Sequence, residues 1–171
     1  GSCAFAMAHS DVRHFLNGML LSLQAGMLKA TATDGHRLAI DYASVSGEGA
    51  VQAIVPRKAV LELVKLLGSS EDAVHITVTP QHIRFATAHF VLATRLLEGD
   101  YPDCERLIPD YDGTKAIVSC ALFKNALSRA AVLAKEKYHG VRLTFSTGQL
   151  TIASNNSDNE SQQENFAVDY E

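Results

Sequence analysis

The chain of 171 residues contains no tryptophan, and only 7% of it is aromatic. So few ring faces argue against a base-stacking platform for single-stranded nucleic acid. No apolar run approaches the roughly 18 residues needed to cross a bilayer, and no secretory leader is legible; no membrane partner is expected. Three cysteines, Cys3, Cys104 and Cys120, stand far apart without a CxxC pair. That spacing excludes a disulfide framework and a zinc knuckle and fits a reducing, cytoplasmic compartment. The seven histidines, at positions 9, 14, 36, 75, 82, 89 and 139, lack metal-ligand spacing. The acidic tract 98–112 lacks the order of a calcium loop, so neither metal nor cofactor is expected. Positive charge is also short: the net charge is −4, which excludes a uniformly basic nucleic-acid binder. From Leu143 to Glu171 there is no Lys or Arg at all, so the cations must concentrate elsewhere.

What is present reads as alternating strands and helices. Gly1-Ser2 looks like an expression scar. The stretch "CAFAMAHSDVRHFLNG" reads as the end of a helix closed by Asn17-Gly18. Strands 19–24 and 27–33 form a hairpin around Ala25-Gly26. Asp34-Gly35 opens a turn, "RLAIDYA" and "VQAIV" are further strands, and "SVSGEG" is a loop. "PRKAVLELVKLLG", 56–68, is the clearest helix, with Pro56 at its first position, Gly68 just past its end, and a core stripe at 60, 63, 64 and 67. Three alternating strands follow: "AVHITVT", "HIRFA" and "HFVLATRL". The segment "EGDYPDCERLIPDYDGT" reads as a connector, after which a strand "KAIVS" and a helix around 121–137 restart the pattern.

A shift of 122 residues lays "LNGMLLSLQAGMLKATAT" over "YHGVRLTFSTGQLTIASN" and matches Gly18 with Gly140, Leu21 with Leu143, Gly26 with Gly148 and Leu28 with Leu150. A period this long marks a repeated domain. The second copy stops before any second helix, and the first begins inside its first helix. The chain therefore reads as a piece of a longer array of tandem domains.

The motifs "LNGML…ATDGHRLA", "VPRKAVLELVKLL", "LLEGDYPDCERLIP" and "LSRAAVLAKEKYHGVRL" resemble, in order and over nearly the whole chain, the bacterial sliding clamp, the β subunit of the replicative DNA polymerase. The resemblance implies an α+β fold, the DNA-clamp fold, in which repeated domains carry an outer antiparallel sheet and two inner helices. Residues 3–113 would be the middle clamp domain with its first helix truncated. Residues 114–171 would be the first half of the third domain. The implied function is that of a non-catalytic processivity factor of DNA replication. Its parent would be a homodimeric ring around duplex DNA, bound without regard to sequence. Its other partners would be the polymerase catalytic subunit, the clamp loader and further proteins with clamp-binding motifs.

The cluster Asp34-Gly35-His36-Arg37 admits three readings. A hydrolase using Asp34 and His36 would need a nucleophile in reach, and no G-x-S-x-G, H-E-x-x-H or Cys/His signature is present. A plain turn is the structural reading. The resemblance implies a third, half of a pocket that captures short linear peptides. On this sequence its residues would be Leu16, Thr33, Gly35, His36, Arg37, Leu38, Pro102, Arg106, Leu107 and Tyr138. Leu16 and Leu38 could equally be core packing. Gly35 would leave room for a ligand backbone, the leucines and Pro102 would supply an apolar wall, and the arginines would bind peptide carbonyls or carboxylates. The DNA channel implied by the same resemblance would use Ser10, Arg13, His14, Arg57, Lys58, Lys65, Lys124 and Arg129, facing phosphates without reading bases. Lys135 and Lys137 extend that basic helix. Without the resemblance such cations are a solvated face. A protein-interaction module that never meets DNA is the remaining alternative.

Overall fold

The computed structural model describes residues 2–47, 49–108, 113, 115–133, 140–155 and 161–170. The chain divides into two compact units, Gly1–Pro109 and Asp110–Glu171.

In the first unit, β1 (Gly18–Gln24), β2 (Met27–Thr33), β3 (Leu38–Ser44) and β4 (Ala50–Pro56) form one antiparallel sheet in the order β3-β2-β1-β4. Ala25 and Gly26 both take positive φ, 49° and 75°. A two-residue turn of that hand matches the twist of the flanking strands. Helix α1 (Arg57–Leu67) follows β4 directly. Pro56 precedes it as N-cap instead of opening it, because its extended backbone (ψ 141°) still pairs with Gly18 across the sheet. Gly68, at φ 51°, ends the helix and donates its N–H to the Val64 carbonyl at 3.1 Å. Val60 is buried and Leu63 packs on the core. Val64, expected in the core stripe, is 39% exposed: α1 touches β1 and β4 along a narrower face than the apolar pattern suggests.

Strands β5 (His75–Val78), β6 (His82–Ala86) and β7 (Val91–Arg95) make a second antiparallel sheet, β5-β6-β7. A bridge between Ile54 and Leu97, with Leu97 N–H on the Ile54 carbonyl at 2.9 Å, links the end of this meander to β4. Alternation puts Ile83 and Phe85 of β6 inside, where they meet Met19, Ala32, Ala53, Val55 and Val60. Burying side chains of this size stabilises the unit by about 1.5–3 kcal/mol each. His75, His82 and His89 point to solvent.

The expected first helix is absent. Two short 3₁₀ turns, Ala4–Ala6 and His14–Asn17, flank irregular chain. The reason is local competition by side chains for backbone groups. Asp11 N–H donates to Asn17 Oδ1 at 2.9 Å, and Asn17 Nδ2 returns a bond to the Asp11 carbonyl at 2.8 Å. The connector is also more structured than its prolines suggest. Cys104–Leu107 form a 3₁₀ turn, Cys104 is buried, and Lys29 of β2 pairs with Glu105.

In the second unit, β8 (Ala116–Ile117) pairs with β12 (Asp169–Tyr170), and β9 (Arg142–Ser146), β10 (Gln149–Asn155) and β11 (Ser161–Ala167) form a sheet in the order β11-β10-β9. Helix α2 (Cys120–Leu133) lays Ala126 and Ala130 on Leu150 and Ile152. The internal repeat appears in the hydrogen-bond register. Leu20 faces Thr31 and Leu21 faces Ala30 in the first hairpin; Arg142 faces Ala153 and Leu143 faces Ile152 in the second. Each pair is displaced by the same 122 positions that align the sequences. The next pairing slips by one: Met27 faces Ser44, but Gln149 faces Ala167.

Candidate functional site

The turn between β2 and β3 is built by its own side chains. Asp34 Oδ1 accepts the N–H groups of His36 and Arg37 at 3.0 and 3.1 Å, and Oδ2 accepts Arg37 Nε at 3.0 Å. Thr33 Oγ1 donates to the Arg37 carbonyl at 2.8 Å and accepts the Gly35 N–H at 3.1 Å. Asp34 is thus occupied with turn formation. The His36 N–H, then the Arg37 N–H and the Arg37 guanidinium, hold its carboxyl below the usual carboxylate range. The His36 ring has no side-chain partner among the described residues, so Asp34 and His36 do not form the acid–base pair that a hydrolase would need. Gly35 sits at φ 89°, a conformation that side chains disfavour.

Aromatic rings and a second arginine surround the turn. The Arg37 guanidinium lies 5.7 Å over the Phe5 ring, a cation–π arrangement. The Arg13 guanidinium approaches from the other segment: a Cβ on Gly35 would lie 3.3 Å from Arg13 Nη2. The head group of Arg13, one of the residues read as facing a DNA channel, lies beside the Gly35 turn. It is fixed there by Asp11, whose Oδ1 accepts Arg13 Nε at 3.0 Å and whose Oδ2 accepts Nη2 at 2.8 Å. That pairing, with the Arg13 backbone N–H, pulls the Asp11 carboxyl down to about 2. Beneath the turn, Thr33 N–H donates to the Tyr101 hydroxyl at 3.1 Å, and Phe15 meets Tyr101 edge-on with centroids 6.4 Å apart. Burial pushes the Tyr101 phenol up to about 12.

Of the expected pocket residues, Thr33, Gly35 and Arg37 are joined by hydrogen bonds. Leu38 and Pro102 are half-buried, while Leu107 is 66% exposed and open to a ligand. Arg106 is exposed and pairs with Asp103 at 2.9 Å. Leu16 is 2% exposed, which makes it a core residue of this unit as much as a wall. Tyr138 lies outside the described residues. Phe5, Asp11, Phe15, Asn17 and Tyr101 join the cluster without having been legible. Only the aromatic character of "HFLNG" and "GDYPD" beside apolar runs hinted at them.

The cations assigned to a DNA channel have varied surroundings. Arg57 Nη1 donates to the Met7 carbonyl at 3.2 Å, a structural tie. Lys65 pairs with Glu62 at 3.0 Å, and Arg129 is held by both carboxylate oxygens of Glu164. Ser10 Oγ bonds the neighbouring His9 carbonyl at 2.8 Å. His14, Lys58 and Lys124 are exposed, and the two lysines form no ion pair among the described residues. Lys135 and Lys137 lie outside those residues. No group of three His, Cys, Asp or Glu among the described residues could hold a metal, and no described helix is long and apolar enough to cross a membrane.

Residues 1–103 match the family model "DNA polymerase III beta subunit, central domain", and residues 105–171 match "DNA polymerase III beta subunit, C-terminal domain". A Pseudomonas putida beta sliding clamp is 43% identical over 170 residues, 98% of this chain and 46% of that protein. The Escherichia coli K12 beta sliding clamp is 38% identical over 167 residues, 97% of this chain and 46% of its own length. The chain thus spans about half the length of these relatives. A Pseudomonas aeruginosa crystal structure of the DNA polymerase III subunit beta superposes with a TM-score of 0.89 at 40% identity, covering 99% of this chain and 47% of that one. Another from the same organism, bound to griselimycin, gives 0.88 at 40%, covering 98% of this chain and 46% of that one. The antiparallel sheets and the two helices match the fold of these clamps, and the chain belongs to the DNA polymerase III beta subunit, or beta sliding clamp, family.

Proposed function

We propose that this chain is part of a processivity clamp and that its first unit carries a peptide-docking site. Residues 3–113 serve as the middle clamp domain and 114–171 as the first half of the third. In the whole protein, tandem domains close a homodimeric ring around duplex DNA and hold the polymerase by linkage instead of tight affinity. Weak phosphate contacts from exposed cations such as Lys58 and Lys124 carry no sequence information, so the ring slides. The polymerase catalytic subunit, the clamp loader and other motif-bearing proteins dock in turn at the site around Gly35. The setting is the cytoplasm.

The observation that carries the docking reading is the Thr33–Arg37 turn. It is rigidified by five internal hydrogen bonds, it exposes Gly35 and the Arg37 guanidinium, and the Arg13 guanidinium and the Phe5 ring stand beside it. Rigid, pre-formed surfaces of mixed apolar and donor character suit short peptides, because little ordering remains to be done on binding. Fluorescence polarisation of the 171-residue chain with a short Gln/Leu/Phe-containing peptide tests it. Saturable binding that Arg37→Ala abolishes, and that griselimycin displaces, supports the site. A folded chain that ignores both ligands refutes it. Leu16→Ala is a poor probe here, since truncating a residue this buried weakens the fold itself.

A further inference from the structure

Two arginines flank the Gly35 turn, and neither offers a naked charge. Arg37 is held by Asp34, and Arg13 by Asp11 through two of its guanidinium nitrogens. Behind Asp11 stands Asn17, which clamps the Asp11 backbone through both its N–H and its carbonyl at 2.9 and 2.8 Å. Asp11 Oδ1 also takes the Arg13 backbone N–H at 2.8 Å. The relay runs from Asn17 to Asp11 to Arg13 and ends 3.3 Å from the space a Gly35 side chain would fill. Asn17 itself is half-buried and touches neither Gly35 nor Arg37 by any hydrogen bond.

We propose that Asp11 and Asn17 are positioning residues of the docking site: acting through Arg13, they fix a neutralised guanidinium over Gly35, so that the site takes main-chain carbonyls of an uncharged peptide and does not select for carboxylates. This rests on the docking reading above. The physical basis is competition. A ligand carboxylate must displace one already tethered two residues from the guanidinium, which acts at high effective concentration. A neutral carbonyl displaces nothing. Asp11 engages Nε and Nη2, and a guanidinium has five N–H donors, so donors on Nη1 remain for a carbonyl lying over Gly35. Omission of a side chain at Gly35 keeps that approach open.

A double-mutant cycle tests the relay. Blocked peptide is titrated against wild type, Asn17→Ala, Arg13→Ala and the double variant. If Asn17 acts through Arg13, Asn17→Ala weakens binding about fivefold in the wild-type background and not at all beside Arg13→Ala. Equal loss in both backgrounds makes Asn17 merely structural and overturns the proposal. Should Asn17→Ala not fold, Asn17→Asp, which keeps the acceptor for the Asp11 N–H, replaces it in the same cycle. For selectivity, the peptide with a free C-terminal carboxylate is compared with its amide. Wild type should bind the two within about threefold with a shallow salt dependence, whereas Asp11→Asn should favour the carboxylate and steepen it. A wild-type preference above tenfold for the carboxylate overturns the claim. If the wild type binds no peptide, the docking reading fails by itself. The relay is then judged by the NMR resonances of the Arg13 guanidinium: unchanged signals in Asn17→Ala refute it, and a shift toward those of Asp11→Asn supports it.

Discussion

Replacing Tyr101 by Phe removes one oxygen and leaves the ring. In the native unit that oxygen accepts the Thr33 N–H at 3.1 Å, at the end of β2 where the site turn begins. The Phe15 edge contact survives in the variant, so the perturbation is confined to one bond. A typical hydrogen bond contributes about 0.5–1.5 kcal/mol net, and an N–H left unpaired in a half-buried place costs about 1–3 kcal/mol. Because the Tyr101 region is only half-buried, the lower part of that range applies, about 1–1.5 kcal/mol. With a urea m-value of about 1.5 kcal/mol/M, the unfolding midpoint of the first unit should fall by about 0.7–1 M. Hydrogen exchange gives the local readout: the Thr33 amide should exchange about five- to tenfold faster, with β6 amides changing less. Alkaline titration gives a third. Burial raises the Tyr101 phenol from 10.0 to about 12 in the folded unit, so its stabilising effect is whole below pH 10 and vanishes as pH climbs through 12. The variant should lack that component. Unchanged Thr33 exchange together with an unmoved midpoint would refute the idea that Tyr101 anchors the connector to the site turn.

Gly35→Ala forces a side chain into φ 89° and within 3.3 Å of the Arg13 guanidinium; a loss of about 1–2 kcal/mol is expected, with weakened peptide binding, and an unshifted thermal midpoint would contradict it. Ile83→Ala, at a side chain 1% exposed, should destabilise the first unit by about 2–4 kcal/mol without altering the salt dependence of peptide binding. Acid should release Arg13: the depressed Asp11 carboxyl supports the fold above pH 3.8, and that support disappears as pH falls through about 2, visible as a local shift of Arg13 side-chain resonances in that window. Lys58→Glu should lower the slope of log K against log salt for duplex DNA by about 0.9 for each phosphate that is no longer neutralised; an identical slope would remove Lys58 from the channel.

The sheet was legible wherever period-two alternation ended in punctuation. Ala25-Gly26 and Asp34-Gly35 bounded β2, and Gly68 closed α1, because Gly26, Gly35 and Gly68 take positive φ angles that most side chains resist. The opening segment misled for a related reason. "AMAHSDVRHFLNG" carries a helical apolar period, but Asp11 and Asn17 spend their side chains on each other's backbone neighbourhood, a contest that periodicity does not register. Val64 misled because a stripe says which face is apolar and not how wide its seat is. At the site, Thr33 through Arg37 could be read because they are contiguous. Arg13, Phe5 and Tyr101 could not: their approach to the turn depends on chain path over 22 to 68 residues.

The one-position slip between the two hairpin extensions has an evolutionary corollary. Four residues, 34–37, join β2 to β3 in the first copy, and five, 156–160, join the matching strands in the second. Up to that junction the two hairpins keep the same register. The junction is therefore where the two copies part: its length differs by one residue while the strands on either side stay paired. Duplication would then have left the junction of one copy free to change its length while the other kept its own.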